Sequence, residues 1–363
     1  TDGSMTMYAA VYDGDGNYLQ DLSVAWNNTG NLDEISSTGS SYTFSPSTSG
    51  TVGSIVISSG SLISDATGTI TVNGGAQAYL KIRDQSGGNG NEVGDVTMTT
   101  DGSMTMYAAV YDGDGNYLEE INVSWLSSQS LEAMGSFNSI FVFSPSLAFT
   151  SGSISINSGS LIDDATGTIT VNGGAQSYLK IKDQIDGMGN EIENIVMTID
   201  ESLDLYSAVY DADGNFLDNI DANWANTGTL DNISGSATFY TFSPTTASTN
   251  GTISISNGAL IGDATGTITV NGGAQSYLKI RDASGGGGNE VGDITMTIDE
   301  SLTLFAAVYD SDGNFLQDIP VEWANTGTLD VISISATSFI FEPTTASTNG
   351  TISISSGSLI GDA

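Results

Sequence analysis

A self-similarity with a fixed step constrains this chain more than any other feature. The segment TDGSMTMYAAVYDGDGN runs from Thr1 to Asn17 and recurs, letter for letter, from Thr100 to Asn116. Diverged copies open at Ile199, as IDESLDLYSAVYDADGN, and at Ile298, as IDESLTLFAAVYDSDGN. The four tryptophans, Trp26, Trp125, Trp224 and Trp323, follow one another at 99 residues. The Leu-Ile pairs that start at Leu62, Leu161, Leu260 and Leu359 keep the same step. A period that neither gains nor loses a residue makes each copy one structural unit, repeated in tandem. The expected units are 1–74, lacking its N-terminal strand; 75–173; 174–272; and 273–363, lacking its C-terminal strand. Both ends fall inside a copy, so the chain reads as a stretch of a longer array.

Within one copy the apolar residues alternate with period 2, the signature of half-buried strands. In Ser4-Met5-Thr6-Met7-Tyr8-Ala9-Ala10-Val11-Tyr12, the side chains of Met5, Met7 and Val11 share a face. The third copy puts Leu203, Leu205 and Val209 there and Asp204 opposite. Asp13-Gly14-Asp15-Gly16-Asn17 then supplies the residues that tolerate positive φ in a tight hairpin. Leu22, Val24 and Trp26 alternate with Asp21, Ser23 and Ala25 in the next strand. Further strands are expected at 42–44, 54–57, 68–72, 79–83 and 96–98. No segment carries helical spacing. About seven short strands per copy, each ended by turn residues, is the pattern of an antiparallel sandwich with Greek-key links.

Composition narrows the function. There are 43 acidic residues against 6 basic ones, for a net charge of -37. Such a surface repels nucleic acid and anionic lipid, whose binding needs clustered Lys and Arg, and it favours cations. Cysteine and histidine are both absent. The chain therefore has no disulfide framework, no thiolate, and none of the side chain that most often moves protons near neutral pH. Its carboxylates cluster in open turns, not in the apolar enclosure that tunes a catalytic acid, so no enzyme is expected. No apolar run is long enough for a membrane span in this segment.

A family resemblance rests on specific residues. These are Tyr79-Leu80-Lys81-Ile82-Arg83-Asp84, Asn91-Glu92-Val93-Gly94-Asp95 and Ala109-Val110-Tyr111-Asp112-Gly113-Asp114-Gly115-Asn116. Trp125 and Thr166-Gly167-Thr168-Ile169-Thr170-Val171 complete the run. Together they resemble the bacterial immunoglobulin-like repeats, of the Big or invasin type, found in surface adhesins and extracellular fibrous proteins. The resemblance covers the whole chain. It implies an all-β fold, tandem immunoglobulin-like Greek-key β-sandwiches, with Trp26, Trp125, Trp224 and Trp323 in the cores. It implies an extracellular or cell-surface location and a structural role as stalk, fibre or filament. The alternative it leaves open is an adhesin whose repeated loops recognise a glycan or protein partner. The paired cysteines of antibody domains are missing, so packing alone must join the sheets.

Three groups of residues are candidate sites. The Asp-x-Asp-Gly-Asn turns recur at Asp13, Asp112, Asp211 and Asp310. They are not EF-hands, because the glycine falls at position 4 of the loop and strand resumes at once. A hairpin turn and a shallow Ca²⁺ site both remain open there. The second group lies in the acidic loop from Asp84 to Asp95 and its copies. Its oxygen donors Asp84, Asn89, Glu92, Asp95, Asp183, Glu191, Asp282, Glu290 and Asp293 are candidate Ca²⁺ ligands, Ca²⁺ being the sole cofactor considered. An ordinary solvated loop is the competing reading. The third group holds every basic residue: Lys81 and Arg83, Lys180 and Lys182, Lys279 and Arg281. Spacing of i, i+2 places each pair on one face of one strand. They are expected either to pair within the module or to contact a neighbouring module or another copy in a filament.

Overall fold

The structure, a computed structural model, describes residues 1–363. It has 39 strands and no helix, so none is long and apolar enough to cross a membrane. Two compact units divide the chain, 1–175 and 176–363. Four separate hydrophobic cores occupy residues 9–72, 80–171, 179–270 and 278–354, one per repeat.

The second module shows the complete plan. Its opening strand, Gln77–Arg83, pairs antiparallel with the long strand Met104–Asp112. The other side of the long strand carries Tyr117–Glu120 near the turn and the edge strand Ile140–Phe143 further along. These four make one sheet. In the other, the tryptophan strand Val123–Ser127 lies between Ser136–Asn138 and Ile154–Asn157. That sheet extends through Thr150–Gly152 to the closing strand Ile169–Asn172. It ends on Val96–Thr99, which runs parallel to the closing strand. The chain thus enters in one sheet, crosses to the other within its first 25 residues or so, and returns by Greek-key steps. That strand order is an immunoglobulin-like sandwich.

Alternation explains why these segments face each other. Met106, Ala108 and Val110 are fully buried between the sheets, while Thr105 on the opposite face is exposed. Trp125 is also fully buried and stacks on Phe141 of the facing sheet, with centroids 5.5 Å apart. Its Nε1 donates to Asn138 O at 2.8 Å. Trp26, Trp224 and Trp323 each donate to the matching carbonyl at 2.9 Å. One side chain therefore joins both sheets where an antibody domain would use a disulfide. Truncating a buried aromatic of this size costs about 3–5 kcal/mol.

The expected strands at 42–44, 54–57 and 79–83 are present, and the module holds more pieces than seven. Thr150–Gly152 and Ile154–Asn157 are one run broken at Ser153, and Asp164–Ala165 precedes the closing strand. The edge strands end with a Pro two residues on, at Pro46, Pro145, Pro244 and Pro343. A proline there stops the exposed edge from growing a ladder with another chain.

Candidate functional site: the inter-module joint

The Asp-x-Asp-Gly-Asn turn is the hairpin its sequence predicts. Asp112 N donates to Asn116 O at 3.0 Å, and Gly115, at φ +93, donates to Asp112 O at 3.2 Å. Asp112 Oδ1 accepts from Asp114 N at 3.1 Å and Asn116 N at 2.8 Å. Here the turn also meets the preceding module. Asp112 Oδ2 accepts from Gly75 N at 3.0 Å and from Thr1 Oγ1 at 2.7 Å. Asn116 Oδ1 accepts from Ser49 N at 3.0 Å, and its Nδ2 donates to Ser47 O at 2.9 Å. Beside these, Asp2 Oδ2 accepts from Ala76 N at 2.6 Å. Leu118 lies so close to the linker that a Cβ on Gly74 would come within 2.3 Å of its Cδ2.

The same joint forms inside the second unit. Gly273 N donates to Asp310 Oδ2 at 3.1 Å, and Asn314 Oδ1 accepts from Ala247 N at 3.3 Å. Asp200 Oδ2 accepts from Ala274 N at 2.7 Å. The docking loops differ in sequence, Ser47-Thr48-Ser49 against Thr245-Thr246-Ala247, yet the joint survives because it engages their backbone.

Asp13 supplies an internal control. It makes the same turn bonds, to Asp15 N at 3.1 Å and Asn17 N at 2.9 Å, without the bonds that Asp112 makes to the linker, and it is exposed. Asp112 and Asp310 are 0% exposed. Burial alone would push the Asp112 carboxyl up. The bonds from Gly75, Asn116 and Thr1 outweigh it and hold the group well below the usual carboxylate range.

An aromatic ladder braces the strand that carries the turn. Tyr79 stacks on Tyr111 at 5.5 Å between centroids, and Tyr111 meets the edge of Tyr117 at 6.0 Å. The third and fourth modules repeat it as Tyr178, Tyr210, Phe216 and as Tyr277, Tyr309, Phe315. Aromatic pairs of this kind add about 0.5–1.5 kcal/mol each beyond area burial. The acidic loop closes over the ladder. Gly88, at φ +69, lies where a Cβ would come within 2.4 Å of the Tyr117 ring, and Gly87 N donates to Glu120 at 2.7 Å. Arg83 lies 5.6 Å from the Tyr111 centroid and donates to Gly88 O at 3.2 Å.

The candidate calcium ligands do not converge. Asp84 accepts from Asn91 N at 2.7 Å, Asn89 donates to Ser86 O at 2.9 Å, and Asp95 accepts from Thr168 N at 2.7 Å. Glu92 pairs with Lys81. In the later copies Asp183 and Asp282 cap their own loops at 2.7 and 2.6 Å, and Asp293 is exposed. Glu191 pairs with Lys180 at 2.9 Å, and Glu290 with Lys279. No three acidic side chains are grouped so as to hold a metal ion.

Of the two readings open for the basic residues, the lysines show pairing within the module. Lys81, Lys180 and Lys279 reach the glutamate of their own loop, not a neighbouring module. The bridge between Arg83 and Glu92 sets that glutamate across from the opening strand, within reach of the lysine. Hydrogen bonding to the glutamate raises the pKa of each lysine. Arg281, like Arg83, donates to loop carbonyls, at 3.0 Å to Gly286 and 2.7 Å to Gly288. Lys182 has no carboxylate within ion-pairing distance. The joint is built instead by Asp112, Asn116, Asp310 and Asn314, for which the sequence left open a hairpin turn or a shallow Ca²⁺ site but no contact between modules.

No known protein family matches the sequence, and no curated protein does either. Several solved structures share a likeness. An Escherichia coli adhesin, FdeC, is 16% identical with a TM-score of 0.30, over 70% of this chain and 82% of that one. Extracellular domains 3–5 of Drosophila OTK are 10% identical with a TM-score of 0.27, over 77% and 94%. The FN1–FN3 domains of chicken CNTN1 are 10% identical with a TM-score of 0.27, over 73% and 95%. Scores this low carry no argument about this chain, whose fold rests on its own strand order. By that order it is an all-β array of tandem immunoglobulin-like sandwiches.

Proposed function

We propose that the chain is a structural repeat region of a long secreted or cell-surface protein, built from bacterial-type immunoglobulin-like modules. It serves as an extracellular stalk, fibre or filament. The observation that carries this reading is the joint: Asn116 and Asn314, at the ends of two equivalent turns, each hold the backbone of the same loop in the module before them. A repeat that includes its own connector is built for length. The absence of histidine and cysteine and the heavy negative charge agree with a solvated extracellular spacer. Its partners are then the neighbouring modules of the same chain and, in a filament, other copies. Modules about 30–40 Å long set the spacing expected between beads. Electron microscopy of the purified chain tests this. Beaded threads with that spacing are expected, and compact particles would refute the reading.

A second reading, an adhesin, is favoured by one feature of the second module. It exposes Phe137 at 64%, Leu147 at 51% and Phe149 at 66%. The sister modules carry Thr, Ser or Gly at those positions. Large exposed apolar groups mark interaction surfaces more often than small polar ones do. Loss of binding to a glycan or protein array on Phe137→Ser and Phe149→Gly would support it, and no binding by the intact chain would remove it.

A further inference from the structure

We infer that Asp33 and its counterpart Asp231 are positioning residues of the joint: each fixes, from its own module, the shape of the loop that the next module's asparagine holds. The inference rests on the joint, and so on the structural reading above, and names what governs its strength.

Two aspartate bonds and one threonine bond leave the docking loop with a matched pair of groups to offer. Ser47 N donates to Asp33 Oδ2 at 2.6 Å, and Thr48 N donates to the same oxygen at 3.2 Å. The Ser47 hydroxyl adds a third bond to it at 3.1 Å. Thr48 O accepts from Thr51 Oγ1 at 3.0 Å. Asn116 engages two of the groups left over, Ser47 O and Ser49 N. A carboxamide suits that pair, because it carries a donor and an acceptor side by side. Aspartate and asparagine thus divide the backbone of one loop between two modules.

The second unit repeats the division with other side chains. Thr245 N and Thr246 N donate to Asp231 Oδ2 at 2.6 and 3.2 Å, and Thr246 O accepts from Thr249 Oγ1 at 3.0 Å. Thr245 O and Ala247 N are again the groups that meet the asparagine, here Asn314.

The aspartate is itself anchored to the core. Asn28, the last residue of the strand Val24–Asn28, donates from Nδ2 to Leu32 O at 3.1 Å and accepts from Ile35 N at 2.8 Å. Leu32 and Ile35, on either side of Asp33, are buried with Trp26. Asn226 makes the same two bonds, with Leu230 O at 3.1 Å and Ile233 N at 2.7 Å. The loop therefore takes its position from the core of its own module. Bonds from Thr48 and Ser47 hold the Asp33 carboxyl below its ordinary pKa, as befits an acceptor that works in its charged form.

The shape precedes docking. In the fourth module Thr344, Thr345 and Ala346 are all exposed, yet Asp330 Oδ2 accepts from Thr344 N at 2.6 Å and Thr345 O accepts from Thr348 Oγ1 at 3.2 Å. A loop ordered in advance loses little further freedom when the joint closes.

The test is amide hydrogen exchange in the full chain, read at Ala274. Its N–H donates across the joint to Asp200 at 2.7 Å, and it lies on the linker and not on the loop. With one loop residue left to be ordered at each closure, Asp231→Ala should cut protection at Ala274 roughly 5- to 30-fold. Asp231→Asn keeps an oxygen for Thr245 N and Thr246 N but not its charge, and should cost about threefold. Asn314→Ala removes the partner of the loop, so Asp231→Ala added to it should cost nothing more at Ala274. Amides of the strand Ala222–Asn226 report the module's own fold and should stay protected throughout. If Asp231→Ala loosens that strand, Asp231→Asn carries the test alone, with and without Asn314→Ala. Unchanged protection at Ala274 would overturn the inference. So would a loss of the same size with Asn314→Ala already present, since the aspartate would then act on something other than the joint. Compact particles in the microscope would remove the stalk reading while leaving the exchange result intact.

Discussion

Replacing Asp112 with asparagine tests the joint through a single atom. Its Oδ1 is held by Asp114 N and Asn116 N, so the new amide nitrogen must take the place of Oδ2. That position faces Gly75 N–H, a donor, at 3.0 Å. The variant loses the charge-assisted bonds from Gly75 and Thr1 and sets donor against donor. A hydrogen bond to a charged group contributes about 1.5–3 kcal/mol, so the two together are worth roughly 3 kcal/mol at the lower bound. At about 1.4 kcal/mol per decade that is roughly 150-fold in the equilibrium for opening the joint. Amide hydrogen exchange in the full chain reads it directly. Gly75 and Ser49 should lose roughly 100-fold of their protection in Asp112→Asn. Asp13→Asn, which disturbs an identical turn with no joint, should leave both amides as they were. Unchanged exchange at Gly75 in Asp112→Asn, or equal losses in the two variants, would refute the reasoning. The pH dependence has a definite sign. A carboxyl whose folded pKa is depressed stabilises fully above its unfolded value and stops doing so only below its folded one. Protection at Gly75 should therefore decline gradually below about pH 5 and vanish only in strong acid.

Three further outcomes are expected. Gly88→Ala forces a side chain into a left-handed conformation, at about 1–2 kcal/mol, and into the Tyr117 ring. It should lower the melting temperature of the second module, and an unchanged midpoint would show that the loop does not rest on the ladder. Asp164 has the opposite titration to Asp112, because burial raises its pKa despite the bond from Ile82 N. Asp164→Asn keeps that acceptor and should be neutral or stabilising at pH 7, with the difference fading as the solution is acidified; marked destabilisation at pH 7 in a thermal melt would contradict this. Since Glu92, Glu191 and Glu290 face lysines, neither Ca²⁺ nor excess EDTA should move the thermal transitions, and a shift of several degrees with Ca²⁺ would show that the loops rearrange around the ion.

Much of the sandwich can be read in advance because burial imposes the period. Met106, Ala108, Val110 and Trp125 fall on the inward phase of strands that the alternation marks. The edge strand Ser136–Asn138 leaves no such trace, since one of its sides meets water and its residues need not alternate. The short Tyr117–Glu120 strand is hidden for a similar reason, being partly covered and acidic. The joint escaped because Asp112 and Asn116 satisfy a hairpin on local grounds alone. A second carboxylate oxygen that the turn engages only through the Asn116 side chain was the available signal. Oxygen content is what spacing shows of the loop carboxylates; the direction of Glu92, toward Lys81, is set by its bridge to Arg83, a pairing that lies beyond the reach of spacing.

The joint also decides what happens when two modules come apart. The groups that part there are amides, a hydroxyl, a carboxylate and a carboxamide, with Leu118 the chief apolar exception. Water can hydrate them at once, so an opened joint exposes little that is sticky. A connection made of apolar surface would risk capture by the first similar surface it met. This one can bend, open and close again in a crowd of its own kind.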